Sequence, residues 1–198
     1  SLPFALTPGQ REVGEQIAQD LARLHPMNRL VQGDVGSGKT LVALRAMLQV
    51  VDAGGQAAFM APTEVLAQQH AATLRSMLGD LARAGELGAP ETATRVELLT
   101  GSLKTAQKRE TLLAAASGQA GIVVGTHALI SDNVQFAELG LVVVDEQHRF
   151  GVEQRDKLRD GAGATPHMLV MTATPIPRTV AMTVFGDVDV STLKGLPA

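Results

Sequence analysis

Hydrophobic residues follow two different spacings along this chain, and the two spacings alternate. Short runs of consecutive apolar residues, such as 141–144, are typical of buried strands. Apolar residues three and four positions apart are typical of helices with one buried face. The runs predict strands at 28–32, 56–62, 95–100, 120–126, 139–146 and 167–174. The spacings predict helices from Pro8 to about residue 24, through 44–51, from Thr63 to about residue 78 and around 103–116.

The alternation of strands and helices predicts the fold class. Strands that are continuous apolar runs, separated by helices, indicate an α/β fold with a mostly parallel sheet covered by helices on both faces. The first helix is expected to bury Val13, Ile17, Leu21 and Leu24. Residues 79–94 are rich in glycine and alanine and are predicted to form a surface connection.

Length and charge narrow the class of protein. The 198 residues suit one domain with a substantial core. A formal net charge of −3 does not indicate a strongly basic nucleic-acid-binding protein or a membrane-surface protein. The absence of cysteine excludes disulfides and thiolate metal sites, and no apolar run reaches membrane-spanning length. These features are compatible with a cytoplasmic protein. The chain begins at Ser1 and ends in GLPA, so we expect it to be a piece of a longer protein.

The segment GDVGSGKT between the first strand and the second helix matches the phosphate-loop pattern. Its glycines, Gly33, Gly36 and Gly38, with Ser37, would let backbone N–H groups surround phosphate oxygens at a helix N-terminus. Lys39 would contact the β- and γ-phosphates of ATP, and the Thr40 hydroxyl would ligate Mg²⁺. The alternative is a glycine-rich turn with an exposed lysine.

Two adjacent carboxylates end the apolar run 141–144. Buried ionised carboxylates require compensation, and the carboxyl ends of parallel strands are where ligands bind. Asp145 would hold Mg²⁺, through water, and Glu146 would orient and deprotonate the attacking water. The alternative is a helix N-cap aspartate followed by a first-turn glutamate.

Further segments resemble superfamily 2 helicases. APTEVLAQQH, LLTGS, VVGTHALI, DEQHRF and MTATPIPRT occur in the order of the first motor domain of that superfamily. Together with NRLVQGDVGSGKT and DEQHRFGVEQR, they resemble the RecG family of branch-migrating DNA helicases over the whole chain. The resemblance implies a RecA-like P-loop NTPase domain in a 3′–5′ DNA helicase that hydrolyses ATP. It also implies roles in DNA repair and recombination.

The resemblance assigns roles to residues outside the phosphate loop. Phe4 and Gln10 would contact the adenine, although Gln10 is also a common residue at a helix start. Backbone N–H groups and hydroxyls that contact DNA phosphates would come from Thr63, Gly101, Gly125 and Thr126. Gln147, Thr172 and Thr174 would couple the ATP site to the DNA site.

The histidines and one basic helix face have less specific patterns. His70 shares a helical stripe with Leu66, Leu74 and Met77, so it is interpreted as a packed core histidine. His148 follows the acidic pair and would sense the state of the nucleotide as part of the catalytic set, or else form structural hydrogen bonds. Lys104, Lys108 and Arg109 form a basic face that is typical of a solvated helix, with a DNA contact as the alternative.

The resemblance also implies partners and missing parts. Residues 1–198 would form the first motor domain, and the second motor domain and the wedge domain would lie elsewhere in the longer protein. Branched or double-stranded DNA, such as forks and Holliday junctions, would be the substrate, with single-strand-binding protein as a further partner. Alternatives are a translocase like the transcription-repair coupling factor Mfd, a metabolic P-loop kinase and a non-catalytic nucleotide-binding DNA module.

Overall fold

The computed structural model describes residues 6–34, 38–83, 95–126, 129, 134–145 and 165–193, without the side chains of 80–83, 184 and 185. The helices are α1 (Pro8–Leu21), α2 (Lys39–Asp52), α3 (Glu64–Arg83), α4 (Thr105–Ser117) and α5 (Arg178–Phe185). The strands are β1 (Asn28–Gly33), β2 (Gln56–Met60), β3 (Val96–Leu99), β4 (Ile122–Gly125), β5 (Leu139–Asp145), β6 (His167–Thr172) and β7 (Asp189–Leu193). Within this part of the chain, no helix is both long and apolar enough to cross a membrane.

The described strands form one sheet in the order β3-β4-β2-β5-β6-β1-β7, and every neighbouring pair is parallel. Two clusters of buried side chains cover its two faces. One cluster includes Ile17 of α1, Met47 of α2 and Leu74 of α3. The other includes Ala115 of α4 and Ala181 of α5. The predicted α/β fold with helices on both faces is confirmed.

The order of the strands explains which face each helix covers. The connections that contain α2 and α3 lead toward the β3 side of the sheet, whereas those that contain α4 and α5 lead toward the β7 side. Parallel crossovers are right-handed, so connections in opposite directions place their helices on opposite faces. All carboxyl ends of the described strands lie at one edge of the sheet, the carboxyl edge. The connection after β1 leads toward the β3 side, whereas the connection after the adjacent β6 leads toward the β7 side. Such sheets bind ligands where the connections of adjacent strands lead in opposite directions.

The first helix is shorter than its apolar spacing predicts. It ends at Leu21, and Leu24 is fully exposed in the following turn rather than buried on the helix face. Val13 and Ile17 are buried as expected. Pro26 disfavours helical geometry only at His25, and the helix ends before that position, with Ala22 as its C-cap.

Three further elements, one in the middle of the chain and two near residue 190, differ from the predicted set. Helix α3 continues to Arg83, so the predicted surface connection begins later, and residues 84–94 lie outside the described part. Helix α5 and strand β7 were not predicted. Strand β7 is an edge strand with an alternating, mostly polar sequence, and it pairs with β1 through Arg29↔Asp189 to Gly33↔Leu193.

Buried polar groups connect distant parts of the sheet. The Gln56 side chain is 2% exposed, and its Nε2 donates to the carbonyl oxygens of Ala115 at 2.9 Å and Ala120 at 2.8 Å. Its Oε1 accepts from the backbone N–H of Glu138 at 2.8 Å. One side-chain amide thus provides hydrogen-bond partners for backbone groups near the end of α4 and just before β5. Leaving these buried groups unpaired would destabilise the fold.

A histidine at the start of β6 predicts a pH dependence of stability. His167 Nδ1 accepts a hydrogen bond from the backbone N–H of Met27 at 2.8 Å, which requires an unprotonated Nδ1. Burial lowers the pKa of His167, and attraction to Asp20 only partly opposes it. Below the ordinary value of 6.5, the unfolded chain therefore binds more protons than the folded one. The free energy of unfolding is expected to fall as the pH decreases through this range.

His167→Asn is expected to flatten this decrease, because the asparagine oxygen can accept from Met27 but does not titrate. Urea unfolding between pH 7.5 and pH 5 measures the slope. The matched control is His25→Asn, which removes an exposed histidine from the preceding turn. An equal flattening by both variants would contradict a role for the Met27 contact.

Candidate nucleotide and nucleic-acid site

The phosphate-loop pattern lies between β1, which ends at Gly33, and α2, which begins at Lys39. Gly38 is the N-cap of α2 and has a φ of 83°, a left-handed conformation that favours glycine. Strand, loop and helix N-terminus therefore follow in the arrangement that binds phosphate. Gly36 and Ser37 lie outside the described residues.

Lys39 lies inside this loop. Its Nζ donates hydrogen bonds to the carbonyl oxygen of Gly33 and, at 3.2 Å, to that of Asp34. Burial lowers the pKa of Lys39, while the negative charges of Asp145 and Asp34 act in the opposite direction. The ammonium is thus partly removed from water and electrostatically coupled to Asp145, so an added phosphate anion would stabilise its charge.

Thr40 and Asp145 are the described residues that could hold a metal ion. Thr40 is the second residue of α2, and Asp145 ends β5 with its side chain 16% exposed. Within the described ranges, no group of three or more histidines, cysteines or acids could form a metal cage. One hydroxyl and one carboxylate fit Mg²⁺, which commonly takes one or two protein carboxylates together with phosphates and water. Glu146 and His148 lie outside the described residues.

Gln10 lies against the phosphate loop. It is 5% exposed and closes a capping box, in which the backbone N–H of Thr7 donates to Gln10 Oε1 at 2.9 Å. In return, the backbone N–H of Gln10 donates to Thr7 Oγ1 at 3.1 Å. A Cβ added to Gly38 would lie 1.8 Å from Gln10 Nε2. Gln10 therefore does have the role of a residue at a helix start, and it also lies beside the phosphate loop. Phe4 lies outside the described residues.

The structure corrects the interpretation of His70 as a core histidine. Its ring does pack on Phe59, with ring centroids 4.7 Å apart. However, the side chain is 18% exposed, and Nε2 lies 2.7 Å from Asp145 Oδ2. His70 therefore belongs to the site. The helical stripe could not indicate this contact, because the two residues are 75 positions apart in sequence.

The predicted DNA-contacting residues follow three neighbouring strands. Thr63 comes after β2, Gly101 after β3 and Thr126 after β4, and these strands are adjacent in the order β3-β4-β2. The nucleotide residues lie instead at the ends of β1 and β5. One half of the carboxyl edge thus carries the phosphate loop, and the other half carries the predicted DNA contacts.

The predicted DNA-contacting residues differ in exposure. Thr63 is exposed, and its Oγ1 caps α3 by accepting from the backbone N–H of Leu66 at 3.2 Å. Gly101 is also exposed, and Thr126 is half-buried. Gly125 is buried within the sheet, where an added Cβ would lie 2.5 Å from the Leu99 carbonyl oxygen. Glycine at this position therefore has a packing reason, and the adjacent Thr126 is more accessible to a phosphate.

Two of the three predicted coupling residues lie where β6 ends: Thr172 is its last residue, and Thr174 is in the loop that follows. The backbone N–H of Thr174 donates to Thr172 Oγ1 at 3.2 Å, which tightens the loop. Sequence reasoning missed Gln32, whose Oε1 accepts from the backbone N–H of Ile176 at 2.7 Å. Because Gln32 directly precedes Gly33, this contact connects the loop with the strand that leads into the phosphate loop. Gln147, the third predicted coupling residue, lies outside the described part.

A comparison with family models decides the family. The model described as DEAD/DEAH box helicase matches residues 7–183, which is most of the chain. The chain belongs to the DEAD/DEAH box helicase family. ATP binding by this helicase domain follows from the family, in agreement with the phosphate loop.

Individual relatives of this helicase domain confirm the resemblance to RecG. The ATP-dependent DNA helicase RecG of Mycobacterium bovis is 63% identical over 198 residues, covering 99% of this chain and 27% of the relative. RecG of Streptococcus pneumoniae serotype 4 is 53% identical, and the match covers 100% of this chain and 27% of that relative. A solved structure of RecG bound to a three-way DNA junction is 40% identical, with a TM-score of 0.77, and the match covers 100% of this chain and 25% of that one. The helicase domain therefore spans about a quarter of the length of these relatives, and the predicted RecA-like fold is confirmed.

Proposed function

We propose that this chain is the ATP-binding first motor domain of a double-strand DNA translocase that remodels stalled replication forks and Holliday junctions. The observation that carries the proposal is the division of the carboxyl edge. Lys39, after β1, and Asp145, at the end of β5, lie on one half and are electrostatically coupled. The exposed Thr63 and Gly101 follow β2 and β3 on the other half. In a motor, the nucleotide site and the DNA site must be coupled, so that ATP hydrolysis at one changes the contacts at the other. Placing both sites at the end of one sheet supports such coupling.

The nucleotide half would bind ATP through the phosphate loop. Backbone N–H groups of the loop and the N-terminus of α2 would contact phosphate oxygens, and Lys39 would add a point charge. Thr40 and Asp145 would hold Mg²⁺, which neutralises charge on the β- and γ-phosphates when bound. Glu146 would act as the general base toward water. Gln10, beside Gly38, would contact the base of the nucleotide.

The DNA half would bind phosphate groups rather than bases. Thr63 and Thr126 offer hydroxyls, and the exposed Gly101 offers a backbone N–H group. Glu64 Oε1 accepts from the backbone N–H of Ser102 at 3.1 Å, which supports the shape of the 100–102 loop. Such neutral donors are consistent with a net charge of −3, because they bind phosphate without a basic surface.

The substrate and the domain organisation are proposed from the relatives. RecG of the two bacteria is named an ATP-dependent DNA helicase, and the solved RecG structure contains a three-way DNA junction. We infer that the longer protein supplies a second motor domain and a wedge domain that holds branched DNA. The alternative of an Mfd-like translocase is not favoured, because the similar curated proteins are RecG.

The proposal predicts how the longer protein selects DNA. A motor must step along any sequence, so we expect affinity to depend on junction shape and salt. Scrambling the sequence of a three-way junction is expected to change the binding free energy by less than about 1 kcal/mol, the lower end for one lost base contact. Fluorescence anisotropy with labelled junctions measures this.

The control for this experiment is linear duplex DNA of the same length and composition. It is expected to bind more weakly than the junction and to lose affinity on addition of salt. A preference for one sequence over another in junctions of equal shape would contradict the proposal. Equal affinity for junction and linear duplex would contradict the part of it that concerns branched DNA.

A further inference from the structure

The contact between His70 and Asp145 joins a helix to the metal-binding end of a strand. His70 lies in the second turn of α3, and Asp145 is the last residue of β5. The 2.7 Å between Nε2 and Oδ2 is a short hydrogen bond. Both side chains are largely removed from water, at 18% and 16% exposure, so the contact is not a solvated surface pair.

The packing of α3 holds His70 in place. Ala67, Ala71 and Leu74 are buried against the sheet at helical spacing, with at most 1% exposure. Two alanines in this stripe let the helix approach the sheet closely. On the sheet, the His70 ring contacts Phe59 of β2, which is fully buried and pairs with Val143 of β5. The imidazole is therefore fixed on the strand adjacent to the one that carries Asp145.

The chemistry of the contact determines its direction. An ionised carboxylate can only accept hydrogen bonds, so Nε2 of His70 donates to Asp145 Oδ2. Within the described part of the chain, this is the hydrogen bond that the Asp145 side chain forms. It restricts rotation of the carboxylate about its Cβ–Cγ bond and leaves Oδ1 for a cation. Partners of this kind orient metal-binding carboxylates and tune the metal site.

We propose that His70 is a positioning residue that orients Asp145 for Mg²⁺ bound with ATP. The proposal rests on the proposed function, since it needs Asp145 to hold the metal ion. His70 does not touch nucleotide or metal in this account. It acts through the Asp145 carboxylate. Its helix, α3, begins directly after Thr63, the predicted DNA contact.

Two substitutions separate the hydrogen bond from the packing. His70→Phe keeps a ring against Phe59 but has no donor. His70→Gln loses the ring but places an amide nitrogen at nearly the distance of the imidazole Nε2 from Cα. A positioning role predicts that the phenylalanine variant is impaired and the glutamine variant is largely rescued, whereas a packing role predicts the opposite. Gln69→Ala, on the exposed face of the same helix, is the matched control.

The measurement is a Mg²⁺ titration of nucleotide binding by residues 1–198, with a fluorescent ATP analogue that cannot be hydrolysed. His70→Phe is expected to raise the Mg²⁺ concentration for half-maximal binding roughly 10- to 100-fold, the range for lost outer-shell partners. Binding in EDTA is expected to stay unchanged. Thermal unfolding without nucleotide checks the fold, and His70→Leu serves as a second variant without a donor.

The same titration distinguishes failure of this proposal from failure of the proposed function. If the unsubstituted chain binds the analogue without any Mg²⁺ dependence, or if Asp145→Asn changes nothing, the metal site itself is wrong. If Asp145→Asn removes the Mg²⁺ dependence but both variants without a donor titrate like the unsubstituted chain, only the role of His70 is wrong. An impairment by His70→Gln equal to that by His70→Phe would also overturn it.

Discussion

Residues 1–198 are expected to hydrolyse ATP roughly 10³–10⁵ times more slowly than a chain extended through the proposed second motor domain, the range for one missing arginine finger. The proposed function implies that ATP is bound between two motor domains and that the second one supplies positive charge to the transferred phosphoryl group. Lys39 cannot replace that charge, because it already belongs to the phosphate loop and contacts the Gly33 carbonyl oxygen. Arg178 is an exposed residue at the start of α5, after the loop that follows β6, and no hydrogen bond or ion pair connects it with the phosphate loop among the described residues.

DNA-stimulated ATP turnover of the two chains, measured side by side, tests this expectation. Lys39→Ala in the extended chain is the control, because it removes the phosphate contact while keeping both domains. Similar turnover by the short and the extended chain would show that the short chain contains a complete active site. The two-domain account would then be wrong.

Glu146→Gln in the extended chain is expected to lower ATP hydrolysis by about 10²–10⁴-fold, the usual contribution of a general base. The amide keeps the size of the side chain and its hydrogen bonding, but it cannot accept a proton from water. Nucleotide affinity is expected to remain close to that of the unsubstituted protein. Steady-state turnover and nucleotide titration measure the two quantities separately.

Lys39→Ala provides the contrasting variant for this second expectation. It removes a direct charged contact with the phosphates, so the affinity itself is expected to fall. Hydrolysis by Glu146→Gln at an unchanged rate would show that another group takes the proton. Equal loss of affinity in both variants would show that Glu146 contributes to binding rather than to chemistry.

Sequence patterns were sufficient for the elements that are both buried and regular. The run 141–144 is a central strand with fully buried side chains, and such strands need apolar residues on both faces. The phosphate loop was predicted from spacing alone, because its chemistry requires glycines and a lysine at fixed positions. The start of a helix at Thr63 was also predictable locally, since an N-cap contacts residues within one turn.

The missed features depend on contacts between distant residues. Strand β7 lies at a sheet edge and is only partly buried, so it lacks a continuous apolar run. The roles of His70 and Gln32 each require a partner that is brought close only by the folded sheet, 75 and 144 positions away. Leu24 fitted the helical spacing, but the helix had already ended three residues earlier. The spacing of apolar residues indicates the type of a single helix or strand, but it does not indicate which helices and strands contact each other in the fold.

The position of β1 has a consequence for the order in which the protein is completed during synthesis. This strand leads into the phosphate loop, yet its described neighbours, β6 and β7, begin only at residues 167 and 189. Pairing across so many residues is slow, because a long loop must close before the contact forms. The strand that leads into the phosphate loop is therefore expected to join the sheet late, after the strands of the opposite half have left the ribosome. A nucleotide that binds the folded phosphate loop would then stabilise only chains in which β1 is already paired.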